Sequence, residues 1–80
     1  MDKWIAHYGR GKSDIVWAAN EADALEMARR FAVADGMSPE EAADDEEVYA
    51  RKADFWLLKE YGLIWLDARE NGYEEAEARP

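Results

Sequence analysis

The chain contains no cysteine. Disulfides and thiolate metal sites are therefore excluded, and a reducing compartment is the simpler expectation. No apolar run approaches the roughly 18–20 residues of a membrane-spanning helix. The first residues, Met1-Asp2-Lys3-Trp4, form neither the basic nor the apolar part of a signal peptide. A cytoplasmic protein is expected. Bases are scarce: 10 Lys and Arg stand against 19 Asp and Glu, for a net charge of −9. Nucleic-acid affinity comes largely from cations neutralising phosphates, so no direct nucleic-acid binding is expected, and no membrane attachment. Histidine occurs once, at His7, and Ser13 and Ser38 are the only hydroxyls besides tyrosine. Neither serine lies in a nucleophile motif. A strand histidine is more often a packing or surface residue than a catalyst, and 80 residues struggle to enclose a deep pocket. No enzyme, cofactor or metal site is expected.

Two partial motifs fail on inspection. Gly11-Lys12-Ser13 resembles the end of a phosphate-binding loop, but Ala6 stands where the first glycine is needed and a strand follows instead of a helix. Asp67 to Ala78 has Asp67, Asn71, Gly72 and Glu75 at calcium-loop positions. Arg69 and Ala78 occupy two ligand positions, the second being where a bidentate Glu should close the site. With 19 carboxylates, pairs at catalytic separations arise by chance and carry no information.

What the chain does have is apolar content of 49%, including four Trp, four Tyr and two Phe, which is too aromatic for a disordered acidic chain. A single compact domain over residues 1–73 is expected, with residues 74–80 a frayed acidic tail. Residues 3–8 and Ile15-Val16-Trp17-Ala18 read as strands joined by the turn-forming stretch Gly9 to Asp14. A one-residue slip would swap the faces, leaving open whether Trp4 and Trp17 or Ile5 and Val16 point inward. Asn20 starts a helix with Glu21 and Asp23 at its positive end. Leu25, Ala28 and Ala32 follow helical spacing, widened by Ala24, Met27 and Phe31, and Gly36 is the stop. Ser38-Pro39-Glu40-Glu41 is a strong second start.

Asp44 to Glu47 offers a third start, so the spacing predicts a short helix at about 39–43 and a longer one at about 45–61, a single continuous helix being the alternative. Tyr49, Ala50, Ala53, Trp56, Leu57 and Tyr61 would line its buried face, with Glu47, Arg51 and Asp54 on the wet one. Gly62 ends it, Leu63 to Leu66 reads as a third strand, and Asn71-Gly72 as a tight turn before a brief strand at Tyr73. The four tryptophans are expected to be mostly core. The fold class is α+β: a small antiparallel sheet, an N-terminal hairpin plus a C-terminal strand, packed on one face against two or three helices.

The charge is concentrated. Residues 1–19 carry a net +1 and residues 20–80 a net −10. Six of the eight residues from 40 to 47 are acids: Glu40, Glu41, Asp44, Asp45, Glu46 and Glu47. Such a run often serves as a solvated face that aids solubility. Here no base interrupts it, so the acids repel one another, a cost that a cationic partner relieves. A second acidic stretch comprises Glu70, Glu74, Glu75 and Glu77. Acids at i, i+3 and i+4 on a helix lie about 5–6 Å apart, on the scale of neighbouring phosphates. Phe55 and Trp56 are adjacent, so one faces outward on a helix, making Phe55 a candidate partner contact.

A short, cysteine-free, strongly acidic chain with a dense carboxylate patch at Glu40 to Glu47 resembles the small phage-encoded anti-CRISPR proteins. The resemblance is one of size, charge and patch, since those inhibitors share no motif. It implies a non-enzymatic inhibitor that docks on the basic, Lys/Arg-lined groove of a nucleic-acid-binding complex such as a CRISPR-Cas effector. DNA engagement would be blocked by steric and electrostatic mimicry, in the cytoplasm of a bacterial host. A monomer is expected, a dimer being the other possibility. The alternative from the sequence is a small adaptor or antitoxin-like protein acting through hydrophobic association.

Overall fold

The computed structural model describes residues 1–64. The elements in chain order are β1 (Asp2–Tyr8), β2 (Ser13–Ala18), α1 (Glu21–Ala34), α2 (Pro39–Asp44), β3 (Val48–Lys52) and α3 (Phe55–Glu60). The strands form one antiparallel sheet in the order β2-β1-β3, so the class is α+β. Among the described residues, no helix is long and apolar enough to cross a membrane.

The hairpin follows from Gly9-Arg10-Gly11, which turn the chain with three successive positive φ angles of +94°, +56° and +73°. Two of these fall on glycines, which adopt such angles without steric penalty. The loop is closed by Tyr8 N–H to Lys12 O and Lys12 N–H to Gly9 O, both 3.0 Å. The resulting register pairs Trp4 with Val16 and Ile5 with Ile15. Directly opposed residues share a face, so Trp4 belongs with Val16, and Ile5 lies on the side that also carries Trp17. Neither inward set considered from the sequence occurs as drawn, because both faces of the sheet are covered.

On the first face lie Trp4, Ala6, Val16, Ala18, Val48 and Ala50, packed against Ala24, Ala28 and Ala32 of α1. These three alanines recur every fourth residue, and their small side chains let the helix lie close on the sheet. Asn20 caps α1 through Asp23 N–H at 2.9 Å. At its far end Met37 N–H reaches Ala32 O and Gly36 N–H reaches Val33 O, with Gly36 at φ +110°. This is the glycine-terminated stop expected of Gly36. The opposite face buries Ile5 and Ile15 under Leu58 and Leu63. The helices therefore lie on both faces, not on one.

The longer helix expected over 45–61 is replaced by β3, a turn and α3. The reason is tertiary. Strand β1 is central, so the backbone groups it directs away from β2 need partners. Val48 to Lys52 supplies them, with Ala6 facing Ala50 and Tyr8 facing Val48, and Ala53 N–H continues the ladder to Lys3 O at 3.1 Å. The third strand is thus Val48–Lys52. Leu63 and Ile64 do not form it: Leu63 is buried under the sheet and Ile64 is helical. The rest of that expectation, Trp65-Leu66, lies outside the described residues, as do the calcium-like loop, the Asn71-Gly72 turn, the strand at Tyr73, the second acidic stretch and the tail 74–80. Trp4 is core, but Trp17 and Trp56 are 45% and 71% exposed, contrary to expectation.

Candidate functional site

The acidic run begins with a well-built helix start. Ser38 Oγ accepts from Glu41 N–H at 3.1 Å, and Glu41 Oε1 accepts from Ser38 N–H at 3.5 Å. Pro39 occupies the first turn of α2, where no backbone donor is needed. Ala42 is buried against the α1 core and fixes the helix, leaving Glu40, Glu41 and Asp44 exposed. Asp45 ends α2, its N–H bonded to Glu41 O at 2.9 Å. Its Oδ1 then accepts from Glu47 N–H at 2.8 Å, and its carbonyl accepts from Val48 N–H at 3.0 Å. The chain is thereby turned directly into β3.

Glu47 is held from two sides. Its Oε1 accepts from Arg10 N–H in the hairpin loop at 3.3 Å. Its carbonyl lies 2.6 Å from His7 Nδ1. A carbonyl can only accept, so this short contact calls for the proton on Nδ1, in place of the longer approach of Gly9 N–H to the same nitrogen at 3.5 Å. The lone histidine thus pins the acidic turn to the central strand, a role with no signal in the sequence.

The six acids therefore divide. Glu41, Asp45 and Glu47 satisfy backbone donors. Glu40, Asp44 and Glu46 make no side-chain hydrogen bond or ion pair among the described residues. Lys12 pairs with Asp35 at 2.8 Å, Arg30 with Glu26 at 3.4 Å and Lys52 with Asp2 at 3.5 Å, none of them with an acid of the run. The Lys12 ammonium holds the Asp35 carboxyl below its usual range, chiefly through this hydrogen bond. Glu40, Glu41, Asp44 and Asp45, with Ser38, border one open hollow. Glu46 and Glu47 sit beyond it on the turn into β3. The patch is a six-residue helix plus a turn, so Glu46 and Glu47 do not lie on the acidic helical face expected from the sequence. Asp44 and Asp45 also lie at the negative end of α2, where carboxylates are disfavoured. Among the described residues, no group of three or more His, Asp or Glu is arranged to hold a metal ion.

Phe55 is exposed, at 56%, and the structure does not bring it to the acids. Helix α2 packs on the α1 side of the sheet, whereas α3 covers the opposite face. Asp54 caps α3 through Leu57 N–H at 2.8 Å, which places Leu58 inward and both Phe55 and Trp56 outward. The two rings meet edge-on at 5.2 Å, and Lys59 lies 5.5 Å from the Trp56 ring. A helix over 45–61 would turn Trp56 inward; the separate α3 that starts at Asp54 turns it outward.

A polar aromatic cluster sits on the same face of the sheet as Ile5. His7 stacks on Tyr49 at 4.7 Å, Tyr49 and Tyr61 hydroxyls are 2.7 Å apart, and Arg51 Nη1 donates to Tyr61 Oη at 3.5 Å. Burial, then the bond to Tyr61, pushes the Tyr49 phenol up to about 12.

No protein-family model, curated protein or solved structure matches the chain.

Proposed function

We propose that the protein is a non-enzymatic inhibitor that seats its acidic α2 surface in the basic groove of a nucleic-acid-binding complex and blocks DNA engagement. The observation that carries this reading is the placement of Asp44 and Asp45 at the disfavoured end of α2, beside Glu40 and Glu46, with no cation paired to any of them among the described residues. Apart from the backbone bond that Asp45 accepts and the favourable place of Glu40 in the first turn, such charge costs stability. A Lys/Arg-lined groove would offset it. The resemblance to anti-CRISPR proteins makes a CRISPR-Cas effector of a bacterial host the first complex to try. The rigid part of the surface is the capped helix and the pinned turn, so the carboxylates are presented in a fixed arrangement without an ordering cost on binding.

The test is capture from a bacterial lysate with the native chain and a Glu40→Lys/Asp44→Lys/Glu46→Lys variant in parallel. These three acids accept no backbone hydrogen bond, so the variant leaves the cap and the turn intact. A nucleic-acid-binding complex held by the native chain, lost by the variant and displaced by salt is the expected result. Equal capture by both would refute the reading.

A second reading, a small adaptor or antitoxin-like protein associating through apolar surface, is favoured by the exposed pair Phe55 and Trp56. Aromatic anchors dominate many interfaces. Under that reading a Phe55→Ala/Trp56→Ala variant loses the partner and salt has little effect.

A further inference from the structure

The outer side of β2 directs backbone groups away from the sheet. Lys3 O accepts from Ala53 N–H on the β3 side, and Tyr8 N–H donates to Lys12 O on the β2 side. Backbone groups alternate sides along a strand, so Ile5 faces β3 as Lys3 does. Ile15 lies opposite Ile5, and Trp17 opposite Lys3. Ile15 and Trp17 therefore point their N–H and C=O groups outward. Strand β2 ends the order β2-β1-β3, and among the described residues no other strand pairs with this edge. One outward donor is taken locally: Ile15 N–H donates to Asp14 Oδ1 at 2.8 Å.

An open edge is a template for another extended strand, and proteins guard such edges with Pro, Lys or bulges. Ser13–Ala18 contains no Pro, Lys or Arg, and its pairing with β1 runs without a bulge. The opposite edge, β3, carries exposed Arg51 and Lys52. On β2 the only charge is Asp14, and Trp17 stays 45% exposed with Lys3 5.4 Å from its ring.

Charge and register select the occupant. Residues 1–19 carry a net +1 in a chain of −9. The acidic run leads into β3, at the far edge of the sheet. Two copies meeting along β2 thus keep their acidic surfaces apart. The strand is also self-complementary. With a two-fold axis at Val16, Ile15 of each copy lies opposite Trp17 of the other, and each such pair exchanges two backbone hydrogen bonds. Opposed side chains share a face, so each exposed Trp17 ring meets Ile15 of the second copy. Asp14 lies opposite Ala18, so no like charges face each other. Centring the axis on Ile15 instead would set the Asp14 carboxylate against Val16.

We propose that the occupant of this edge is a second copy of the chain, paired antiparallel through β2 into one continuous sheet. On pairing, Ile15 N–H exchanges Asp14 Oδ1 for the Trp17 carbonyl of the second copy. The interface is separate from the acidic surface, so either can fail without the other.

The test is analytical ultracentrifugation of the full chain, with amide hydrogen exchange across the same concentrations. A dimer with a dissociation constant below about 100 μM is expected, with exchange at Ile15 and Trp17 slowing as it forms. Trp17→Glu, whose new carboxylate lies opposite Lys3 in the monomer, buries a charge in the interface and is expected to weaken the dimer at least about tenfold. Asp14→Ala removes the competing acceptor and is expected to tighten it at least about threefold. Phe55→Ala/Trp56→Ala is expected to leave it unchanged. Circular dichroism should stay native in all three. The proposal is overturned by a chain that stays monomeric, by a folded Trp17→Glu that dimerises undiminished, by an Asp14→Ala dimer no tighter than the native one, or by loss of the dimer in Phe55→Ala/Trp56→Ala. Protection of Ile15 and Trp17 that does not vary with concentration would place another part of the same chain on the edge and overturn it equally.

Discussion

Ile5 has no solvent exposure, and it sits where the central strand meets Leu58 and Leu63. The large side chains packed around it, Ile15, Leu58 and Leu63, are themselves buried, so little can move in to refill the space. Ile5→Ala is expected to cost about 2–5 kcal/mol, read as a fall in the urea midpoint, and in a chain of 80 residues that is a large share of the total. Tyr49 makes a different demand. Its folded-state phenol is raised to about 12 from 10.0, so the folded state holds this proton more tightly than the unfolded chain does. The associated stability is fully present below pH 10 and is lost as pH rises towards 12. Phenolate absorbance should show one late-ionising tyrosine, and alkaline unfolding should begin in that window. Tyr49→Phe removes the titration and should flatten the fall, at a neutral-pH cost of about 0.5–1.5 kcal/mol for the lost hydrogen bond. If the alkaline fall in the variant matches the native chain, Tyr49 is not its source.

At the scale of elements, the local signals were sufficient wherever the chain caps itself. Asn20, Gly36 and Ser38 each act within a few residues of their own position, and each does what its spacing implies. Helix α2 has only six residues, so its start matters more than in a long helix. Ser38→Ala is expected to destabilise the protein by about 0.5–2 kcal/mol, with hydrogen exchange accelerating first at Glu41 and Ala42. Unchanged exchange there would mean that α1 packing alone holds α2. The failure at residues 45–61 has the opposite origin. Tyr49, Ala53 and Trp56 follow helical spacing, yet Val48 and Ala50 also alternate as a strand does, and short segments of this kind are ambiguous by period alone. The pairing needs of β1, forty residues earlier in the case of His7 and Glu47, resolved the ambiguity.

At the scale of the whole molecule, charge and function are linked through cost. Reversing Glu40, Asp44 and Glu46 to Lys takes the net charge from −9 to −3. It removes like-charge repulsion and places a cation at the negative end of α2, while the Glu40 change puts another at the positive end, so the two end effects offset. Relief of repulsion remains, so the variant is expected to be as stable as the native chain or more so, by up to about 0.5 kcal/mol, while losing its cationic partner. Thermal melting at low and high salt checks the first half: the native chain should gain from salt and the variant should not. A variant that melts lower than the native chain would mean that these acids hold the fold, which removes the main support for reading them as a docking surface.

The sequence by itself determined the fold class, the hairpin, α1, the start of α2 and the location of the acidic run, because each depends on neighbours close in the chain. Tertiary structure decided the rest. It chose strand over helix at Val48 to Lys52, covered both faces of the sheet, and turned Trp17 and Trp56 outward. It also separated the three acids that hold the backbone from the three that face solvent unpaired, and left the outer edge of β2 without a partner strand among the described residues. These outcomes depend on which backbone donors and acceptors remain to be satisfied once distant segments meet, and no local pattern encodes that.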